Sequence, residues 1–341
     1  MDTFAPDQLT YPTSGLLPRQ RSAADLDFHR TVSRKLVHKA AVSEVFLTDS
    51  ARATADSYLL AAQWPRDHAV FQPGPGGTAD SMVVIETVRQ ATMFTFHEYY
   101  GVPLELPFVA KSFDFELTDD RAARAAFGAP QEVTLDLVVD IPAGHRPGRR
   151  MPFQTHTVVH TGAGRPCARV TIGGEILDPA LYRRLRAARP AAVDLPADGA
   201  GGPVAATPAQ VGRRRPDDVV LLTAEPGDGA RWRLRVDQGH PTFFDHGSDH
   251  VQAVLLLEAL RQGGLLADTA AGDASHEVLT GLRVEFHAYG EFGTPILLDA
   301  RATGGEGGAR TVRATAAQAG RPIAQADLVF RRAALPGGPT S

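Results

Sequence analysis

Val83-Val84-Ile85-Glu86-Thr87-Val88-Arg89-Gln90 and Leu255-Leu256-Leu257-Glu258-Ala259-Leu260-Arg261-Gln262 are the two stretches that decide how this 341-residue chain folds. They are one motif written twice. A shift of 172 residues lays Glu86, Arg89 and Gln90 on Glu258, Arg261 and Gln262, and carries His68 onto His240 and Phe71 onto Phe243 without a gap. With small gaps the match runs on. Phe113-Asp114-Phe115 parallels Val284-Glu285-Phe286, and Gly164-Arg165-Pro166 parallels Gly320-Arg321-Pro322, each of the latter a turn between strand-like runs. Two copies make a pair of domains rather than a solenoid.

Each copy reads as early strand, loop, one long helix, then strands. The first helix spans Ser81 to Tyr100, stopped by Gly101 and Pro103, and the second runs from His250 to Ala267 with Asp249 as its N-cap. Strand patterns fall at 41–48, 57–63, 109–117, 132–140, 153–161 and 167–176, then at 218–223, 231–237, 279–287, 295–302, 309–317 and 322–331. Both helices are apolar around most of their circumference, so both are buried. A buried helix followed by antiparallel strands implies an α+β hot-dog fold, a sheet wrapped around a central helix. Hot dogs pair side by side, so one chain would build a tandem pseudo-dimer. The expected organisation is an N-terminal arm over 1–30, hot-dog domain 1 over 31–186, an Ala/Pro/Gly-rich surface linker over 187–216, hot-dog domain 2 over 217–333 and a disordered tail over 334–341.

Glu86, Arg89 and Gln90 stand at i, i+3 and i+4 and share one helix face, as do Glu258, Arg261 and Gln262. A carboxylate inside an apolar helix costs several kcal/mol unless compensated. An Arg at i+3 can make it a purely structural pair; the alternative is a tuned base or substrate-orienting group in a partly dry cleft, which the repetition favours. Histidines gather upstream of each helix: His68 in copy one, and His240, His246 and His250 in copy two. In paired hot dogs the pocket lies between domains, so His68 is expected to approach Glu258, and His240 or His246 to approach Glu86. His246 and His250 lack the partners of a metal site, and a surface or capping role is expected for both.

Other chemistries are set aside. Cys167 matches Ile323 in the repeat and reads as core, and there is no Gly-x-Ser-x-Gly elbow or P-loop. Gly74-Pro75-Gly76-Gly77 reads as a turn. Without a covalent nucleophile, the reaction is expected to be direct, with a base activating the attacking group. The net charge of −4 offers no electrostatic case for nucleic acid or an anionic membrane. Only one cysteine is present, no apolar run suits a membrane span, and the start is unlike a secretory signal, so a cytoplasmic protein without metal or cofactor is expected.

Two resemblances follow. Phe243-Phe244-Asp245-His246 followed by Val254 to Gln262 resembles the active-site segment of hydroxyacyl-carrier-protein dehydratases, although the His-to-Glu spacing differs and the Pro-Gly of that loop is missing. Over residues 30–333 the chain resembles more closely the A-factor (gamma-butyrolactone) biosynthesis family of actinobacteria. The segments that carry this are Leu36 to Asp49, Ile85 to Gln90, His97 to Pro103, Asp245 to Val251 and Leu257 to Gln262. The resemblance implies an acyltransferase moving a 3-ketoacyl group from acyl carrier protein to the hydroxyl of dihydroxyacetone phosphate, on the way to a signalling butyrolactone or furan. It marks Glu86, Arg89, Glu258 and Arg261 as catalytic candidates. Glu258 or Glu86 would take the hydroxyl proton, Arg261 or Arg89 would hold the phosphate, and backbone N–H groups at a helix start would face the oxyanion. His68, His240, His246, Gln90 and Gln262 would contact substrate. Copy two keeps the more dehydratase-like segment, so Glu258 and Arg261 are favoured as the working pair. The chain would act as a monomeric pseudo-dimer or a homodimer. A hot-dog dehydratase, a thioesterase or a non-catalytic acyl-ligand sensor are the alternatives.

Overall fold

The structure, a computed structural model, describes residues 22–124, 129–142, 150–162, 164–187, 203–224, 231–267 and 276–333. Of the expected arm only 22–30 fall among these, and Leu26 packs there against Ala51 and Ala61; the expected tail lies outside the described residues.

Helix α1, Ser81–Tyr100, starts where the Asp80 carboxylate accepts the Met82 N–H and ends at Gly101, whose φ of 64° suits glycine. Helix α2 is Pro179–Ala187, and α3 is Ala253–Leu266, buried without interruption from Leu255 to Leu266. The N-cap of α3 is Gln252, not Asp249; Asp249 instead binds Arg186 and Tyr182 from α2.

Copy one supplies strands β1 Leu47–Arg52, β2 Ser57–Trp64, β3 Phe108–Leu117, β4 Gln131–Asp140, β5 Arg150–Thr161 and β6 Arg165–Leu177. Copy two supplies β7 Leu221–Thr223, β8 Trp232–Leu234, β9 Glu277–Phe286, β10 Ile296–Gly304, β11 Ala309–Gln318 and β12 Arg321–Arg332. All twelve join one antiparallel sheet in the order β1-β2-β4-β5-β6-β3-β9-β12-β11-β10-β8-β7. Read from either edge, this is the same sequence of repeat-equivalent strands. At its centre β3 pairs with β9, and Phe113 lies opposite Val284, its own repeat partner. A pseudo-twofold axis therefore passes through that pair, both members buried. The hairpins before β6 and β12 turn through Gly164 and Gly320 at φ 71° and 73°, and the following Cys167 and Ile323 are both buried.

The strand expected at 41–48 begins only at Leu47, after a 3-10 turn at Val42–Glu44. The Gln90 side chain explains this. Its amide oxygen accepts the Phe46 N–H at 2.9 Å and its nitrogen donates to the Glu44 carbonyl at 2.8 Å, taking backbone groups that a strand ladder would use. Gln262 does the same to Val220 and Asp218 before β7. The expected surface linker is also corrected at its described end. Ala205 bridges to Leu222, the turn Ala209–Val211 packs on α3, and Arg213 is buried.

Candidate active site

The pseudo-twofold axis generates two carboxylate clusters that differ in one decisive way. In copy one Glu86 is 2% exposed. Arg89 Nε donates to its Oε2 at 2.7 Å and Arg89 Nη2 to its Oε1 at 2.7 Å, while Gln90 Nε2 and Lys39 Nζ reach Oε1 at 3.0 and 3.1 Å. Burial would raise the Glu86 pKa, but Arg89 and then Lys39 outweigh it and hold the carboxyl well below the usual range. With four donors on its two oxygens, the group is an ionised anchor. It fixes two cations on the wall of a cavity.

In copy two Glu258 is wholly buried and both oxygens are claimed by guanidinium groups. Arg261 donates at 2.9 and 2.7 Å, Arg213 at 2.8 and 2.5 Å, and Gln262 at 2.6 Å. Burial again opposes ionisation, and Arg213 with Arg261 nonetheless brings Glu258 down to about 2. Arg213 also donates to the Val70 carbonyl at 2.9 Å and to Asp80, the cap of α1 in the other copy. It therefore plugs the place where the start of one helix would meet the glutamate of the other.

Arg213 corresponds to Lys39. A shift of 174, two more than the helix register, aligns Val37-His38-Lys39 with Val211-Gly212-Arg213. The equivalence is geometric as well. Arg89 Nη2 reaches the Val37 carbonyl at 3.5 Å and Arg261 Nη2 the Val211 carbonyl at 2.8 Å. Sequence reasoning missed Lys39, Arg213 and His38; this second register is the signal that could have found them.

A cavity of about 910 Å³ opens between the copies on the side of Glu86. That size suits a small-molecule site. Its polar wall holds His38, Lys39, Glu86 and Arg89 from copy one and His246 from copy two; its apolar wall includes Phe108, Phe153, Ile172 and Phe286. Gln252, Ala253 and Val254 at the start of α3 also line it, and Gln252 gives that helix no side-chain cap. Asp245 accepts the N–H groups of Ala40 and Ala41 at 2.6 and 3.0 Å, so the loop of copy two positions the His38-Lys39 segment of copy one.

The expectation of crossed loops thus holds for the segments but not for every histidine. His246 lines the same cavity as Glu86 and Arg89. His68 instead lies 3.3 Å from Glu44 and His240 3.3 Å from Asp218, each within its own copy, and each Nδ1 accepts two backbone N–H groups. They pin their loops and do not line the cavity. The substrate contacts expected of Gln90 and Gln262 do not fit either, since both amides are fully buried and spent on backbone and glutamate. Glu258 and Arg261, favoured by sequence as the working pair, are not among the residues lining this cavity, and Arg213 covers both oxygens of Glu258. His250, expected to cap or face solvent, bonds Asp249 at 2.7 Å and lines the cavity with His246. Cys167 is core as expected, its thiol pushed up to about 12, first by burial.

The buried charges make stability depend on pH. His38, His97 and His246 are held below the ordinary 6.5, first by burial, and His38 falls to about 3. Below 6.5 the unfolded chain binds protons that these folded rings refuse, so their contribution is whole above 6.5 and is lost toward about 3 for His38. The glutamates are depressed too; their contribution is whole above the ordinary 4.5 and lost as pH falls through about 2 for Glu258 and lower for Glu86. The urea midpoint should therefore decline in two stages between roughly pH 7 and pH 3. A midpoint flat across the histidine window would contradict this assignment.

Among the described residues no helix is long and apolar enough to cross a membrane. The family profile of the A-factor biosynthesis hotdog domain matches residues 20–178 and 197–333. The chain is 36% identical over 295 residues to a 2-oxo-3-(phosphooxy)propyl 3-oxoalkanoate synthase of Streptomyces virginiae, covering 84% of this chain and 93% of that one. It is 32% identical over 305 residues to the synthase of the same name from Streptomyces griseus, covering 88% and 95%. A third, from Streptomyces coelicolor, is 34% identical over 293 residues, covering 85% and 88%. With its duplicated hot-dog core, its shared central sheet and both halves matched, the chain belongs to the A-factor biosynthesis hotdog family.

Proposed function

We propose that this protein transfers a 3-ketoacyl group from the thioester of an acyl carrier protein to the hydroxyl of dihydroxyacetone phosphate, as the names of its relatives describe for the ester they make. The observation that carries the reading is the composition of the open cavity. Two buried-anchored cations, Arg89 and Lys39, stand on one wall, the uncapped start of α3 on another, and an aromatic and aliphatic surface between. Arg89 and Lys39 bind the phosphate dianion. Glu86 keeps both cations in place and charged; this anchoring replaces the role of base considered for it from sequence. The first N–H groups of α3 face the oxyanion that develops on the thioester carbonyl. The apolar wall takes the acyl chain. Glu258 and Arg261 hold the closed pseudo-equivalent site together.

The test is to incubate the protein with a 3-ketoacyl thioester, with and without dihydroxyacetone phosphate, and to weigh the products. The phosphorylated ester should form only with the acceptor present. Free 3-ketoacid in both arms would mean a thioesterase, an unsaturated acyl product without acceptor a dehydratase, and tight binding without turnover a sensor.

A further inference from the structure

We propose that His38 is the proton carrier of the transfer, taking the proton of the attacking hydroxyl and giving it to the leaving sulfur, with His97 as the positioning residue that fixes its tautomer. This rests on the transfer reading above and names a group that reading leaves open.

The geometry is a relay of three members. His97 Nδ1 lies 2.7 Å from the Val102 carbonyl, and a carbonyl only accepts, so that nitrogen carries the proton. In neutral His97 the other nitrogen is then a bare acceptor. His38 Nε2 lies 2.8 Å from it and must donate. The proton of neutral His38 is thereby placed on Nε2, and Nδ1 is left as a lone pair with no bonded partner among the described residues. His38 lines the same cavity as Arg89 and Lys39. Phe108 meets both rings edge-on, His38 at 5.6 Å and His97 at 5.2 Å between centroids, and holds the pair in place.

A backbone peculiarity points the same way. His38 sits at φ 53°, ψ 53°, one of two non-glycine residues with positive φ among the described residues. Its repeat partner, in the plugged site, is Gly212 at φ 62°. Glycine suits this conformation and histidine adopts it against a steric cost. The open copy thus carries an imidazole where the closed copy carries no side chain. The charged and titratable groups that act on His38 are His97, Arg89 and His246, and Glu105 acts on His97. Burial, His97 and Arg89 keep His38 uncharged at neutral pH, and a phosphate dianion on Arg89 offsets one of those influences.

The step balances. The acceptor O–H bond breaks as its oxygen bonds the thioester carbonyl carbon, and the proton moves to His38 Nδ1. The tetrahedral intermediate collapses with loss of the C–S bond, and the imidazolium returns that proton to the thiolate. Ester and free thiol leave, His38 is neutral again, and nothing is oxidised or reduced.

The test uses His38→Gly in the full chain, which restores the residue type of copy two and suits the backbone. The thermal midpoint should be unchanged or higher, KM for dihydroxyacetone phosphate near that of the parent, and kcat lower by roughly 100-fold, the low end for loss of a general base. Added imidazole should restore much of that kcat. His97→Leu should lower kcat in the parent but have no further effect in the His38→Gly background, and His97→Gln, which can donate to Val102 and accept from His38, should keep more activity than His97→Leu. A His38→Gly enzyme that retains kcat, or that imidazole does not rescue, overturns the assignment. Absence of ester from the parent enzyme in the same assay would count against the transfer reading instead.

Discussion

Replacing Arg89 by alanine should collapse the preference of the enzyme for a phosphorylated acceptor. Arg89 spends Nε and one Nη2 hydrogen on Glu86, but Nη1 meets only the Met93 thioether, at 2.8 Å, and the side chain is 18% exposed on the cavity wall. A hydrogen bond to a charged group contributes about 1.5–3 kcal/mol, so losing a guanidinium–phosphate contact should lower kcat/KM for dihydroxyacetone phosphate by roughly 10- to 100-fold. Most of the loss should appear in KM. Dihydroxyacetone without its phosphate should be an equally poor acceptor for parent and variant. Arg89→Lys should recover little of the loss, because an ammonium cannot present the paired donors of a guanidinium. Arg261→Ala should leave the ratio of the two acceptors unchanged, since Arg261 lies outside the cavity. If Arg261→Ala changed that ratio and Arg89→Ala did not, the open and closed copies would have to be exchanged.

The two helices were legible because a carboxylate, a guanidinium and an amide at fixed helical spacing interrupt an otherwise apolar run, and the same interruption occurs twice. Burial of both glutamates follows from that pattern, and so does the pairing of copies, since Phe113 and Val284 alternate in phase along equivalent strands. The difference between the copies was not legible in this way. It depends on Arg213 spanning 133 residues to Asp80, and on Gln252 where copy one has Asp80. Neither contact leaves a local periodicity. Lys39 and His38 were hidden by the two-residue slip between the helix register and the loop register, and by the change from His-Lys to Gly-Arg across it. The strand expected at 41–48 begins late for a related reason: Gln90, which looked like a substrate contact, takes the backbone groups of Glu44 and Phe46.

The closed copy makes the strongest demand on stability. Arg213 is buried with Glu258 and Asp80, and it ties the segment before β7 to the cap of α1 across the pseudo-twofold axis. Arg213→Met keeps much of the volume and removes the charge. Glu258 would retain Arg261 and Gln262, but the Asp80 carboxylate and the Val70 carbonyl would each lose a donor. Breaking a buried pair from one side costs about 3–5 kcal/mol, a large part of the 5–15 kcal/mol typical of a folded protein. The neighbouring Arg214, 65% exposed and 3.7 Å from an exposed Asp67, is the control; its methionine variant should change stability by no more than about 0.5 kcal/mol. Neutralising the whole cluster with Arg213→Met, Glu258→Gln and Asp80→Asn together should recover part of the loss, because it is the unpaired charges that are expensive. Urea titrations of the four proteins measure all of this. The surviving folded fraction of Arg213→Met should transfer at close to the parent kcat, since the plug touches none of the groups assigned to the reaction. Equal midpoints for Arg213→Met and Arg214→Met would remove the case that the second Glu-x-x-Arg-Gln serves as scaffold, and would return it to the list of possible working sites.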